Sequence, residues 1–276
     1  MLVTRRDLLF ICVVAAVYLA ASFLGWAALG MIAVFPCLAA LLAIVVVVQF
    51  EVHRRAHRDG EGQRGDHVQL EALLSLVSVL RIVQPLPPMR GWAISPDFAN
   101  LLVSVISQER PGHILEIGSG VSTLVAAYCL KRIGSGTLTS LDHDEHFVEQ
   151  TKRDLQRHGL EGYAEVIYAP LKPVEINGKT WLWYDRDFLS RVEAMDMVIV
   201  DGPPGNVGRL SRYPAVPILS ERLSQEAVVL LDDANRPDEE QIIEMWLRDY
   251  GPFCREDVQC EKGATVLRKV AHLGPP

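Results

Sequence analysis

The sequence has 276 residues, 49% of them hydrophobic and 22% charged, with a formal net charge of −7. This length can form one large domain or two small ones. The acidic balance argues against a nucleic-acid partner, because binding phosphates requires a basic surface.

The N-terminal stretch Leu8–Phe50 contains no Asp, Glu, Lys, Arg or His. About 20 apolar residues are enough for one helix to cross a bilayer, so the stretch predicts a transmembrane helical hairpin. Its spans would be Leu8–Leu24 and Ile32–Phe50, joined by a turn at Gly25–Met31. A buried core hairpin and a signal peptide are the alternatives, and the stretch is too long for a signal peptide.

Basic residues flank both ends of this stretch. Arg5 and Arg6 precede it, and Arg54, Arg55 and Arg58 follow it. Because positive residues stay on the cytoplasmic side, both ends should face the cytosol. The absence of disulfide or metal spacing among the five cysteines agrees with this location. We therefore expect a cytoplasmic (inner) membrane protein whose remaining chain faces the cytoplasm.

Between the hairpin and the main domain we predict two further segments. Residues 51–66 are polar and contain three glycines, which is typical of a linker. Residues 67–110 form a helical N-terminal extension, with one helix at Val68–Val83 and a second at Asp97–Gln108. The apolar positions of the first helix could pack on the following domain or pair with a second copy in a homodimer.

Residues 111–272 alternate short apolar strands with helices, which predicts an α/β domain with a doubly wound, Rossmann-like sheet. The sheet should be mostly parallel, and an antiparallel pair formed by the C-terminal tail should close its edge. The expected strands are 113–117, 136–142, 164–169, 197–201 and 228–232, and the expected helices are 121–132, 144–158, 206–223 and 237–249.

The stretch Leu115–Ala127, LEIGSGVSTLVAA, places a glycine-rich turn between the first strand and a helix. Glycines let a ligand approach the backbone, and the helix N-terminus offers free N–H groups. Thr123 stands where a nicotinamide-binding fingerprint has its third glycine, which argues against an oxidoreductase. Glu116 lies two residues before Gly118, and an acid beside an open glycine loop suits a ligand that carries an ammonium group.

An acid also ends the second strand. Asp142 follows Gly120 by 22 residues, the separation at which doubly wound folds place the acid that binds ribose hydroxyls. Its alternative role is to cap the next helix, but Asp144 suits that role as well or better. We therefore assign ribose binding to Asp142 and helix capping to Asp144.

The fourth and fifth strands end in acids as well. Asp201 precedes the rigid loop Gly202–Gly205, and Asp232 and Asp233 follow the last predicted parallel strand. Open parallel sheets bind ligands outside the carboxyl ends of their strands. Four acid-tipped strands therefore predict a binding crevice at this edge.

Together these motifs resemble the class I S-adenosylmethionine-dependent methyltransferases, over about residues 90–270. More narrowly, they are similar to a bacterial branch of uncharacterised methyltransferases, some of them membrane-attached. The resemblance implies that Glu116 organises the glycine loop, and that Asp142 binds ribose. The other residues that it assigns to the cofactor site are Gly118, Ser119, Gly120, Val121, His143, Pro170 and Asp201.

The resemblance extends in part to catechol O-methyltransferase-like enzymes, which hold Mg²⁺ between acids that end the fourth and fifth strands. It implies a metal site at Asp201, Asp232 and Asp233, with Asp201 and Asp232 as catalytic residues. Asp233 replaces the Asn of that family, and the Lys expected after the fourth-strand acid is missing. The structural alternative is that one carboxylate caps the next helix or pairs with Arg212 or Arg236.

The predicted function is S-adenosylmethionine-dependent O-methylation at the cytoplasmic face of the membrane. The acceptor would be a small molecule or a lipid-linked envelope precursor. The alternative is a non-catalytic membrane scaffold that retains the cofactor-binding fold.

Overall fold

The computed structural model describes residues 34–192 and 194–270, together with the isolated positions 13, 16, 17, 20 and 23. These residues divide between two compact units, Met1–Gly65 and Asp66–Pro276. The predicted helical extension, 67–110, and the predicted main domain, 111–272, thus belong to the same unit.

The predicted transmembrane hairpin is wrong for the part of the chain that the structure describes, where no helix is both long and apolar enough to cross a membrane. The first expected span, Leu8–Leu24, lies almost entirely outside the described residues. The second span and the expected linker form one continuous helix of 46 residues, α1 (Val34–Val79). The apolar residues and the polar residues that follow them thus belong to the same helix. The cytoplasmic location stays a prediction.

The last turns of α1 pack on the main domain. Leu76 is fully buried, and the amide of Asn100 donates to the carbonyl of Ala72. Val68, Leu70, Leu74 and Val77 are exposed in the single chain, and the homodimer stays a prediction. Helix α2 (Pro96–Glu109) follows after residues 85–94, which we call the strap.

The main domain alternates strands and helices in the predicted order. Its strands are β1 (His113–Ile117), β2 (Thr137–Asp142), β3 (Ala164–Tyr168), β4 (Leu171–Ile176), β5 (Lys179–Tyr184), β6 (Met195–Val200), β7 (Leu223–Asp232), β8 (Phe253–Val258) and β9 (Ala264–Lys269). Its helices are α3 (Val121–Ile133), α4 (Glu145–His158), α5 (Ala215–Leu219) and α6 (Pro237–Tyr250).

Seven strands form one sheet in the order β3-β2-β1-β6-β7-β9-β8. The first five are parallel to one another, while β9 runs antiparallel to both β7 and β8. The predicted doubly wound sheet with an antiparallel end is therefore confirmed. The strand order reverses between β1 and β6, which is where such sheets bind ligands.

The register explains why the acids converge. Ile117 pairs with Leu141 on one side and with Val200 on the other, and Val200 pairs with Leu231. The next residue in each strand or loop is Gly118, Asp142, Asp201 or Asp232. Because the strands are parallel, these four positions lie in one row at the carboxyl edge of the sheet.

Hydrophobic clusters cover both faces of the sheet. Ile114, Leu138 and Ile199 pack with the helical extension and α3, whereas Leu115, Leu141 and Val200 pack with β5 and α6. Alternate residues of the strands face opposite sides, so Glu116 shares its face with Ile114 and points toward α3.

Two elements differ from the prediction. An antiparallel hairpin, β4–β5, which we did not predict, turns at Asn177-Gly178, both with positive φ, and carries Trp181, Trp183 and Tyr184 on β5. The predicted helix at 206–223 is reduced to α5 and short 3₁₀ turns. Gly208, Pro214 and Pro217 explain this difference, because glycine and proline disfavour a continuous helix.

Candidate active site

A cavity of about 450 Å³ opens at the carboxyl edge, where the strand order reverses. Its floor is the glycine loop after β1, and its walls come from the ends of β2 and β6. The strap covers one side with Pro87, Pro88, Trp92, Ala93 and Ile94. The cavity has the size expected for a small-molecule or cofactor site.

The glycine loop is fixed by a hydrogen-bond chain that ends on Glu116. The Gly120 N–H donates to Thr123 Oγ1 (2.9 Å), and Thr123 Oγ1 donates to Glu116 Oε2 (2.5 Å). Ser140 Oγ donates to the same carboxylate oxygen (2.6 Å). Burial raises the pKa of Glu116 to about 7. Glu116 is fully buried and does not line the cavity, so it acts on the loop through Thr123.

Asp142 joins two loops of the cavity. Its Oδ2 accepts from the backbone N–H (3.0 Å) and the hydroxyl (2.8 Å) of Ser119, and its Oδ1 accepts from the N–H of Asp144 (3.0 Å). Asp144 in turn caps α4, since its carboxylate accepts from the His146 N–H (2.8 Å). The predicted capping role of Asp144 is confirmed.

The loop after β6 passes close to the glycine loop. Gly118 has a φ of +101°, and a Cβ there would lie 3.2 Å from the carbonyl carbon of Asp201. A Cβ on Gly202 would lie 2.3 Å from the Tyr184 hydroxyl and 3.2 Å from the Ile117 carbonyl oxygen. These two positions admit only glycine without a shift of their surroundings. Tyr184 lines the cavity here, and burial raises its pKa well above the usual range.

Asp201, Asp232 and Asp233 come together, with one oxygen of each within 4.8 Å of the others. Asp201 lines the cavity, whereas Asp232 and Asp233 are buried beneath it and do not line it. The Asp233 N–H donates to Asp232 Oδ1 (2.8 Å). Burial raises the pKa of Asp201 to about 6 and that of Asp232 to about 8.

Arg212 is the main partner of these acids. Its Nη2 donates to Asp201 Oδ1 (3.1 Å) and to Asp233 Oδ2 (2.7 Å), and its Nη1 donates to the backbone carbonyl of Asp232 (2.9 Å). Burial lowers the pKa of Arg212, but the surrounding carboxylates outweigh it, so the net shift is upward. The pairing with Arg212 and Arg236 that we considered as an alternative is therefore present for Asp233.

Most predicted cofactor residues line the cavity: Gly118, Ser119, Gly120, Val121, Asp142, His143 and Asp201. Glu116 and Pro170 do not, and neither do Asp232 and Asp233. Tyr184 and Trp92 also line the cavity, although we did not assign them as site residues from the sequence. Asn177-Gly178 was the available signal for Tyr184, because Asn-Gly is a strong hairpin turn and fixes β5 as a strand.

Comparison with known proteins agrees with the geometry. Residues 115–234 match a family model described as a methyltransferase domain. No curated protein matches the chain. Among solved structures, the SAH-bound methyltransferase PaMTH1 from Podospora anserina is similar, with 14% identity and a TM-score of 0.55. That match covers 76% of this chain and 95% of PaMTH1.

A second similar structure is the O-methyltransferase TomG from Streptomyces achromogenes, involved in tomaymycin synthesis and solved in complex with SAM. It shares 16% identity at a TM-score of 0.51, and the match covers 74% of this chain and 89% of TomG. At such identities the likeness concerns the fold, while the family model identifies the domain. Residues 115–234 therefore match a methyltransferase domain, and the fold is similar to that of these two solved methyltransferases.

Proposed function

We propose that the chain transfers a methyl group from S-adenosylmethionine to an oxygen atom of a small-molecule acceptor. The observation that carries this proposal is that the glycine loop, Asp142 and Asp201 line the same cavity at the reversal of strand order. S-adenosylmethionine supplies a methyl group on a positively charged sulfur, so catalysis consists mainly of alignment.

The cofactor would lie along the floor of the cavity. Gly120 has open space where a Cβ would be, so the loop admits a ligand at its backbone. Asp142 has accepting capacity beyond its three hydrogen bonds, which suits a ribose hydroxyl. His143 would border the adenine.

Asp201 is the group in the cavity best suited to accept the acceptor's proton. With a pKa of about 6 it is mostly ionised at neutral pH, and Arg212 fixes its orientation. The acceptor oxygen forms the new C–O bond while the C–S bond breaks and leaves its electron pair on sulfur. The hydroxyl proton passes to the Asp201 carboxylate and then to solvent.

The acceptor would enter beside the strap. Trp92 lines the cavity and is 86% exposed, so its indole is free to cover a planar or apolar ligand. Tyr184, which also lines the cavity, would donate a hydrogen bond from its hydroxyl to the acceptor, since its raised pKa keeps it protonated.

Calorimetric titration of the full chain with S-adenosylmethionine tests the proposal. We expect saturable binding, weakened by at least about tenfold in Asp142→Asn, because a hydrogen bond to a charged acceptor is worth about 1.5–3 kcal/mol. Glu145→Gln is the matched control, since Glu145 is an exposed acid beside Asp144 that does not line the cavity. Absence of binding by the folded wild type would refute the proposal.

Formation of S-adenosylhomocysteine with a panel of hydroxylated small molecules tests the chemical step. The non-catalytic scaffold is the competing proposal, and it predicts cofactor binding without turnover on any member of the panel. Loss of turnover in Asp201→Asn with unchanged cofactor affinity would support Asp201 as the base.

A further inference from the structure

The acids in and below the cavity are surrounded by cations of the chain itself. Asp201, Asp232, Asp233 and Glu239 lie near Arg212, Arg236 and Lys262, all within 4.0 Å of at least one partner. The side chains of Arg212 and Asp233 are each 3% exposed. A charge buried to this degree is tolerated only when it is paired. Because the acids are already paired with these cations, the contacts determine whether the acids can also bind a metal ion.

The guanidinium of Arg212 contacts every member of the acid triad. Its Nη2 is shared between the facing carboxylate oxygens of Asp201 (3.1 Å) and Asp233 (2.7 Å), and its Nη1 bonds the carbonyl of Asp232 (2.9 Å). A divalent ion held by these carboxylates would need to lie about 2.0–2.6 Å from each oxygen. Nη2 therefore occupies the space between two of the three carboxylates that would ligate the ion.

Arg212 is held in place on both sides along the chain. The hydroxyl of Ser211 donates to the Pro203 carbonyl (3.0 Å), and the indole N–H of Trp246 donates to the Tyr213 carbonyl (2.8 Å). All these groups are buried. The guanidinium therefore cannot swing out of the cluster without moving the loop that carries it.

The remaining carboxylate oxygens face another cation. Asp232 Oδ2 and Asp233 Oδ1 have no hydrogen-bond partner among the described residues. Lys262 Nζ lies 4.0 Å from the first and 3.8 Å from the second, while it donates to the Ala93 carbonyl of the strap (3.0 Å). The acid triad is thus paired with Arg212 on one side and lies near Lys262 on the other. In this arrangement the three carboxylates do not fit a divalent ion.

We infer that Arg212 takes the place of the divalent cation, so that methyl transfer by this chain is independent of metal. The inference rests on the proposed function, which it deepens in two ways. Arg212 is a positioning residue that acts through Asp201, the one member of the triad in the cavity. Since no ion chelates the acceptor, the acceptor does not need two adjacent oxygen atoms, and a lone hydroxyl suffices.

Titration of the full chain with Mn²⁺, followed by electron paramagnetic resonance of the free ion, tests the inference without any substrate. We expect no saturable Mn²⁺ binding by wild type. Arg212→Met should bind Mn²⁺ saturably, with an affinity at least about tenfold above the weakest that the titration detects, because removal of the guanidinium leaves the acids unpaired. Arg212→Lys keeps the positive charge and serves as the matched control, expected to behave as wild type.

Stoichiometric Mn²⁺ binding by wild type, abolished in Asp233→Asn, would overturn the inference. If Arg212→Met does not fold, the wild-type and Asp233→Asn titrations decide alone. Turnover measured with and without EDTA is the second readout, and a loss restored by Mg²⁺ would also overturn it. Failure to bind S-adenosylmethionine in calorimetry would refute the proposed function but leave the Mn²⁺ result standing.

Discussion

Gly202 is the residue on which the geometry of the cavity depends most directly. A methyl group there would meet the hydroxyl of Tyr184 at 2.3 Å, and Tyr184 is itself buried. We predict that Gly202→Ala lowers the free energy of unfolding by about 1–3 kcal/mol, the usual cost of overpacking. Chemical denaturation monitored by circular dichroism measures this change.

Gly205 offers the matched control, because a Cβ there would meet nothing within 4 Å. Gly205→Ala should change the free energy of unfolding by no more than about 0.5 kcal/mol. The double variant Gly202→Ala, Tyr184→Phe removes the clashing oxygen and should recover part of the loss. Equal effects of the two glycine substitutions would contradict this account.

Among single residues, the sequence predicted those whose role follows from backbone position. Gly118, Asp142 and Asp201 follow strands whose apolar pattern is clear, so the shared register places them at one edge. Arg212 was considered as one partner for the acidic pair, without the central position that it has in the structure. Its central position depends on the loop 203–214, whose path is set by tertiary contacts such as Ser211 to Pro203. Local sequence does not specify such contacts.

At the scale of elements, the N-terminus of α4 supports one wall of the cavity. The Asp144 carboxylate caps this helix, and its backbone N–H donates to Asp142. Asp144→Ala should cost about 1 kcal/mol of stability, while Asp144→Ser should retain most of it because serine is also a good cap. Thermal unfolding of both variants makes the comparison, and equal midpoints for them would contradict the capping role.

The predicted strands and the helices at 121–132, 144–158 and 237–249 correspond to observed elements because their signals are local. The hairpin β4–β5 was missed because an exposed position of β5 is the apolar Leu182, so the alternation of buried Trp181 and Trp183 with exposed residues is hidden in the sequence. The helix expected at 206–223 was wrong because it was placed by the alternation of strands and helices, whereas Gly208, Pro214 and Pro217 interrupt a continuous helix there.

At the scale of the whole molecule, the alternation of strands and helices predicted a doubly wound, mostly parallel sheet with an antiparallel end, and the sheet has this form. The transmembrane hairpin was wrong because we treated the apolar residues up to Phe50 as a membrane span that ends there. In the described chain that run is the start of α1, which continues through polar residues. Hydropathy identifies an apolar stretch but does not determine where its helix ends.

Charge burial at the carboxyl edge should make the stability of the whole molecule depend on pH. Burial raises the pKa of Asp201, Glu116 and Asp232 to about 6, 7 and 8. An acid with a higher pKa in the folded chain binds its proton more tightly there. These acids therefore stabilise the fold fully only below their unfolded pKa values, near 4, and this contribution is lost as pH rises through 6 to 8.

We accordingly predict that the free energy of unfolding of wild type falls between pH 5 and pH 8.5, whereas ordinary surface acids would leave it flat in this range. For Glu116 alone, the difference between its usual pKa of 4.5 and about 7 corresponds to a loss on the order of 3 kcal/mol. Glu116→Gln has no proton to lose, so its stability should decline less steeply by that amount. Urea denaturation of both proteins at matched ionic strength measures the two slopes. Parallel pH profiles for wild type and Glu116→Gln would show that Glu116 is already ionised at low pH, against the burial that we assign to it.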